Sequence, residues 1–196
     1  MHLTFPEYSA IILCYLIGSV TFGSLVARVA GLGDLRRQGS GNIGATNVAR
    51  IGGKKLGAIT LLLDALKGLI PILFIRWHFS YDISLFSSLA VVLGHIFPVF
   101  AKFKGGKGVA TGFGVMLALN WLVGVYGLVL WLLIFWRTKI SSLAAIIAFT
   151  MVPFFAFFVA DPGFVALCFI LSFIIIARHR ANIVRIFKGE EGKLAK

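Results

Sequence analysis

The sequence predicts an all-α integral membrane protein, a bundle of seven transmembrane helices with the N-terminus outside and the C-terminus cytoplasmic. Three observations predict it. Of the 196 residues, 59% are hydrophobic and 13% charged, and the mean hydropathy of +0.97 lies outside the range of water-soluble domains of this size. The apolar residues fall in long runs separated by short polar segments. Lys and Arg collect in alternate segments, as the positive-inside rule requires. A net charge of +12 could also point to nucleic acid, but that reading needs a basic stripe on a soluble fold, which the apolar bulk excludes. Membrane lipid is the surrounding partner instead, and nothing in the sequence calls for an obligate protein partner.

The runs cover residues 8–29, 56–76, 83–101, 108–119, 121–136, 141–160 and 163–178. The first follows a terminus without the positive charges of a signal peptide and is too long for a signal core, so it reads as a retained helix. The fourth is too short to cross roughly 30 Å of hydrocarbon as an ideal helix, and Asn120 beside Trp121 marks the break before the fifth. Fusing the two would give six spans. With seven, 17 of the 19 basic residues fall on the cytoplasmic side; with six, a basic cluster is stranded on the opposite face. The exceptions are Lys67 and Arg76, and Asp82 and Asp161 fall outside. Cys14 and Cys168 lie within apolar runs and read as small hydrophobes. No Pro/Ser-rich linker or internal repeat interrupts the chain, so 1–196 reads as one domain.

Three Gly-rich, cation-bearing stretches lie between these runs, all on the cytoplasmic side. Gly39-Ser40-Gly41-Asn42-Ile43-Gly44-Ala45-Thr46-Asn47 contains G-x-G-x-x-G, but it follows Arg36-Arg37-Gln38 rather than a strand, so a dinucleotide fold is excluded. The same glycines can turn backbone amides inward to form an anion nest, with Ser40, Gly41, Asn42, Thr46 and Asn47 supplying neutral donors and Arg50 a fork of charge. Lys104-Gly105-Gly106-Lys107-Gly108 lacks Walker A spacing, but it leads into the short fourth helix, whose N-terminal amides favour a phosphate beside Lys107. Gly108 and Gly112 form a small-xxx-small pair suited to helix packing. The plain alternative for each stretch is a basic interhelical turn obeying topology.

His179-Arg180-Ala181-Asn182 is the third stretch, and His179 and Asn182 share a face if the seventh helix continues past the membrane edge. Within the second run, Asp64 and Lys67 stand at i, i+3, where an unpaired charge costs about 2.5–3.5 kcal/mol, so they pair or face a partner. Lys67 is a candidate wall of a phosphate site. His95 reads as a packing residue, and His2 and His78 as solvated. No His/Cys/carboxylate cluster suggests a metal, and no cofactor motif is present.

With these residues in order, the chain resembles the acyl-phosphate:glycerol-3-phosphate acyltransferase family of bacterial membranes over nearly its whole length. The resemblance implies transfer of a fatty acyl group from acyl phosphate to glycerol 3-phosphate, giving lysophosphatidic acid and phosphate, in the bacterial plasma membrane with the site facing the cytoplasm. It also implies that Ser40, Arg50, Lys107, His179 and Asn182 stand at essential positions, with Gly105, Gly106 and Gly108 in a phosphate loop. The family carries a Glu beyond the third stretch, which either Glu190 or Glu191 could match.

Two phosphate-bearing substrates, each with a charge near −2, would repel by about 11 kcal/mol at 6 Å and an effective dielectric of 20. Cations are therefore the first requirement of such a site. A carrier for a phosphorylated solute would also gather cations, but paired repeats with broken helices at the midplane are not visible.

Overall fold

Backbone polar groups in lipid must be satisfied within the chain, and in the computed structural model, which describes residues 3–194, all regular secondary structure among those residues is helical. Close packing separates two compact units, Met1–Leu119 and Asn120–Lys196. His2 lies outside the described residues.

The first unit holds α1 (Phe5–Gly18), α2 (Phe22–Val29), α3 (Ala45–Gly52), α4 (Lys54–His78), α5 (Tyr81–Ile96) and α6 (Val109–Leu119). The continuous helix expected over 8–29 is broken at residues 19–21. Ser19 Oγ donates back to the Tyr15 carbonyl at 2.9 Å and accepts from the Val99 amide at 3.3 Å. The Val20 carbonyl, released from the helical ladder, accepts from Lys67 Nζ at 2.7 Å. A buried ammonium left without such an acceptor costs more than the helix loses in one bond.

Helix α4 is the centre of this unit and packs against α1, α2, α3, α5 and α6. Small residues let α6 approach it: a Cβ on Gly68 would strike the Thr111 carbonyl, and one on Gly114 the Ala65 carbonyl. Thr111, one residue before Gly112, donates its hydroxyl to the Asp64 carbonyl at 2.9 Å. The same close approach joins α1 to α5, where Gly18 faces the Val91 carbonyl and Gly94 that of Tyr15. Arg76, stranded by the charge count, closes the carboxyl end of α6 by donating to the Leu119 carbonyl at 2.7 Å, and its guanidinium stands 5.4 Å from the Tyr81 ring centre. A cation at a helix C-terminus faces the negative end of the dipole. Below α4, a small apolar core of Ala27, Leu35, Ile43 and Val48 joins α2 and α3 to the segment between them.

The second unit holds α7 (Trp121–Thr138), α8 (Ser141–Val159), α9 (Pro162–Arg178) and α10 (Arg180–Phe187). Asn120, at the expected break before Trp121, caps α7 by accepting from the Val123 amide at 3.3 Å, and Asp161 caps α9 by accepting from Phe164 at 3.0 Å. Helix α8 packs against both neighbours and buries Phe149, while Phe154, Phe157 and Phe158 remain exposed on its outer side. Cys14 and Cys168 are buried free thiols.

Each predicted run is helical, but the helices are not equivalent. Five segments are long and apolar enough to cross a bilayer: Phe5–Val29, Lys54–His78, Tyr81–Ala101, Trp121–Thr138 and Ser141–Val159. The pair Pro162–Arg178 and Arg180–Phe187, bent by 61°, makes a sixth when taken as one span. Val109–Leu119, with 11 residues, is about 16 Å long at the helical rise, half a hydrocarbon core.

Candidate phosphate-binding active site

In the first loop, Gly39 and Gly41 have φ of +57° and +70°, left-handed values that glycine adopts at least cost. Asn47 is 1% exposed and organises the turn they allow. Its Oδ1 accepts from the Ser40 amide at 2.9 Å, and its Nδ2 faces the carbonyls of Leu35, Gln38 and Asn42 at 3.2, 3.1 and 2.8 Å. A Cβ on Gly39 would strike the Asn47 amide and come 3.6 Å from Arg50 Cδ, so the Arg50 side chain runs across this glycine. Asn42 Oδ1 accepts from the Gly44 amide at 2.9 Å, and the Gly44 carbonyl opens α3 by accepting from Asn47 and Val48 at 3.0 and 3.2 Å. Arg50 sits exposed in the last turn of α3; Ser40 and Gly41 are exposed and Thr46 half-buried.

In the second loop the glycines serve close approach. The amides of Gly105 and Gly106 donate to the Ile96 and His95 carbonyls, each at 3.1 Å. A Cβ on Gly106 would collide with the His95 ring, and one on Gly105 with the His95 and Ile96 carbonyls and Pro98. Those two amides therefore pin the loop to the end of α5. Gly108 is buried at φ +89° and turns the chain into α6, Lys104 is exposed and Lys107 half-buried.

Beneath this loop lies a buried ionic cluster. Asp64 Oδ1 is 2.8 Å from Lys67 Nζ and 3.6 Å from His95 Nδ1. Lys67, 5% exposed, is thus held between Asp64 and the Val20 carbonyl, and His95 links this pair to Gly106. An apolar cleft of about 880 Å³ between α1 and α4 reaches Lys67 and Phe22 at one end and Phe5 and Phe79 at the other. The two loops meet through Arg36, whose Nη2 donates to the Lys104 carbonyl at 3.0 Å and lies 3.4 Å from that of Ala101.

The third stretch belongs to the second unit. The helix ends at Arg178 and restarts at Arg180 after a 61° bend, with His179 at the corner, so the condition for a shared face on one continuous helix is not met. His179 and Asn182 are nevertheless both buried, at 2% and 5% exposure. His179 Nδ1 lies 2.7 Å from the Ile175 carbonyl; a carbonyl only accepts, so in the neutral ring the proton sits on Nδ1 and Nε2 carries the lone pair. Asn182 Nδ2 donates to Glu191 Oε1 at 2.6 Å, and the same carboxylate accepts from Ser142 Oγ at 2.7 Å and Arg185 Nε at 2.6 Å. Burial pushes the Glu191 carboxyl upward, but these three hydrogen bonds and the Arg185 charge outweigh it and hold the group below the usual carboxylate range. Glu191, not the exposed Glu190, is the residue tied to the third stretch.

Arg36 and His95 were not among the residues the sequence singled out as ligands, because their partners at Lys104 and Asp64 are distant in the chain. Asp64 was signalled by a charge in an apolar run, and Glu191 only as one of two residues that could match the family's Glu.

A helical bundle with several spans long and apolar enough to cross a bilayer, and with two cation-bearing, Gly-rich loops side by side, defines the class: an integral membrane protein. Residues 8–189 match the family model described as glycerol-3-phosphate acyltransferase, and the chain belongs to that family. A glycerol-3-phosphate acyltransferase of Mesorhizobium japonicum is 47% identical over 192 residues, covering 98% of each chain, and one of Jannaschia sp. is 48% identical over 185 residues, covering 94% of this chain and 91% of its own. The fold is similar to crystal structures of PlsY (YgiH), described as an integral membrane glycerol 3-phosphate acyltransferase. Its glycerol 3-phosphate form aligns with TM-score 0.92 and 42% identity over 96% of this chain and 95% of that one. Its lysophosphatidic acid form aligns with TM-score 0.89 and 40% identity over the same shares, 96% and 95%.

Proposed function

We propose that the protein transfers a fatty acyl group from acyl phosphate to the sn-1 hydroxyl of glycerol 3-phosphate, releasing lysophosphatidic acid and phosphate, the first acylation of bacterial phospholipid synthesis. The observation that carries this reading is the meeting of the two Gly-rich loops, one hydrogen bond apart at Arg36 and Lys104, within a chain of this family. In this reading the whole chain works as one catalytic domain in the bacterial plasma membrane, crossing it seven times with the N-terminus outside. Its site faces the cytoplasm, where glycerol 3-phosphate arrives from water.

Arg50 grips one phosphate through its planar fork, and Lys107 and Lys104 hold the other as point charges. Ser40, Gly41, Asn42 and Thr46 line the first phosphate, with Asn47 acting through the shape of the loop because its amide is bound to backbone. Gly105, Gly106 and Gly108 set the path that aims Lys107. Lys67 marks the inner end of the apolar cleft, which suits the acyl tail, and adds positive potential there. The glycerol oxygen attacks the acyl carbonyl carbon, the bond from that carbon to the phosphate oxygen breaks, and phosphate leaves with its electron pair. The hydroxyl proton passes to a substrate phosphate or to His179 Nε2, with Asn182 oriented beside it by Glu191. Acyl phosphate is already activated, so positioning and charge neutralisation suffice without a covalent enzyme intermediate.

Incubation of the purified protein with acyl phosphate alone tests the direct route. It predicts no acylated Ser40 and phosphate release only when glycerol 3-phosphate is added. Stoichiometric, kinetically competent acyl-Ser40 would establish a two-step mechanism instead.

A further inference from the structure

We infer that Arg36 is a positioning residue: its guanidinium straps the second phosphate loop in its working conformation from the base of the first. The inference rests on the functional reading above for its kinetic consequence, but not for its structural one.

The geometry of the strap is specific. Between α5 and the second loop the chain makes a tight turn in which two consecutive non-glycine residues, Lys102 and Phe103, take left-handed backbone values, φ +53° and +59°. Side chains other than glycine adopt this region only under constraint, and a strained pair persists where its surroundings over-determine it. The turn's own bonds run from the Phe103 amide to the Pro98 carbonyl at 2.9 Å and from the Lys104 amide to the Ala101 carbonyl at 3.2 Å. Arg36 adds what they lack. Its Nη2 faces the carbonyls of Ala101 and Lys104, at 3.4 and 3.0 Å, the residues that flank the strained pair.

Arg36 is itself fixed at the foot of the first loop. Its amide donates to Asp34 Oδ1 at 3.0 Å, and its neighbour Leu35 is buried in the small core with Ile43 and Val48. The carbonyl of Leu35 faces Asn47 Nδ2 at 3.2 Å. The path from Asn47 to Lys104 is therefore continuous through Leu35 and Arg36, and it couples the loop carrying Ser40 to the one carrying Lys107. Both side chains of the left-handed pair, Lys102 and Phe103, are exposed, so packing does not hold the turn.

The test uses the full-length protein in detergent, as wild type, Arg36→Ala, Arg36→Lys and Arg36→Ala with Phe103→Gly. Amide exchange over residues 101–108 should rise about tenfold or more in Arg36→Ala while that of α4 is unchanged, reading local opening. The KM for glycerol 3-phosphate should rise about tenfold with kcat within about threefold, the pattern of lost uniform binding. Glycine at 103 adopts the left-handed value without strain, so the double variant should recover most of both changes. Arg36→Lys, with one donor head, should fall between wild type and Arg36→Ala. Unchanged exchange over 101–108, or a KM defect that Phe103→Gly leaves untouched, would overturn the strap and make Arg36 a direct phosphate ligand. Wild type that transfers no acyl group would overturn the functional reading, and the exchange arm would still decide the strap.

Discussion

The Asn182 amide donates to the Glu191 carboxylate at 2.6 Å, and the carboxylate's other partners, Ser142 and Arg185, tie it to the start of α8 and to α10. One acid thus fixes both the last residue of the third stretch and the chain that follows it.

Removing this acid should release Asn182. Losing a hydrogen bond to a charged group costs about 1.5–3 kcal/mol, so Glu191→Ala should lower kcat/KM by about tenfold or more. The pH dependence carries a definite sign. The folded-state pKa is depressed, so the stabilisation is present above the unfolded carboxyl value of about 4.3 and is lost as pH falls through the lower folded value. Thermal unfolding in detergent, followed from about pH 6 down to about pH 3, should lose stability more steeply in wild type than in Glu191→Gln; parallel curves would contradict this.

Asp64 and Lys67 form a pair with both side chains buried. Asp64→Ala leaves the ammonium without its counter-charge and should destabilise the protein by about 3–5 kcal/mol. The double change Asp64→Leu with Lys67→Met should recover most of that loss, because breaking a buried pair costs more than replacing it. Urea or thermal unfolding of the single and double variants checks the first point. If Lys67 also lends potential to substrate, the stable double variant should still show a raised KM for acyl phosphate.

Gly106→Ala and Gly105→Ala should each disable the second loop, because the added methyl meets the His95 ring in one case and backbone carbonyls in the other. Displacing Lys107 by about 1 Å is expected to reduce turnover by about 100-fold. Gly31→Asn is the control: its φ of +68° is one that Asn tolerates, and nothing stands within 4 Å. It should keep near wild-type activity, so equal losses at all three positions would contradict the packing argument.

The helical character of the apolar runs was legible because a bilayer leaves long hydrophobic stretches few alternatives to helix, and the break at Asn120 because a polar residue stood beside an interfacial Trp; of the seven runs, five give helices long enough to span and a bent pair a sixth when taken as one span. The break at 19–21 was not, since its cause, the demand of Lys67 for the Val20 carbonyl, joins residues 47 apart in sequence. The short helices α2, α3 and α10 each have 8 residues, below the length at which periodicity is decisive. Within the loops, residue types pointed to phosphate, but the division of labour did not follow from them. Asn47 and the amides of Gly105 and Gly106 proved to be bound to backbone, and Arg36, counted only as a topological charge, joins the two loops.

In the reading proposed above, cations on these loops neutralise phosphate so that acyl transfer is direct. It is tested most directly by product analysis of purified protein given acyl phosphate and glycerol 3-phosphate. The expected result is one lysophosphatidic acid and one phosphate per acyl phosphate consumed, with turnover reduced about 100-fold or more in Lys107→Ala and in Arg50→Ala, the scale of losing a charge clamp at the reacting centre. Undiminished transfer by either variant would contradict it.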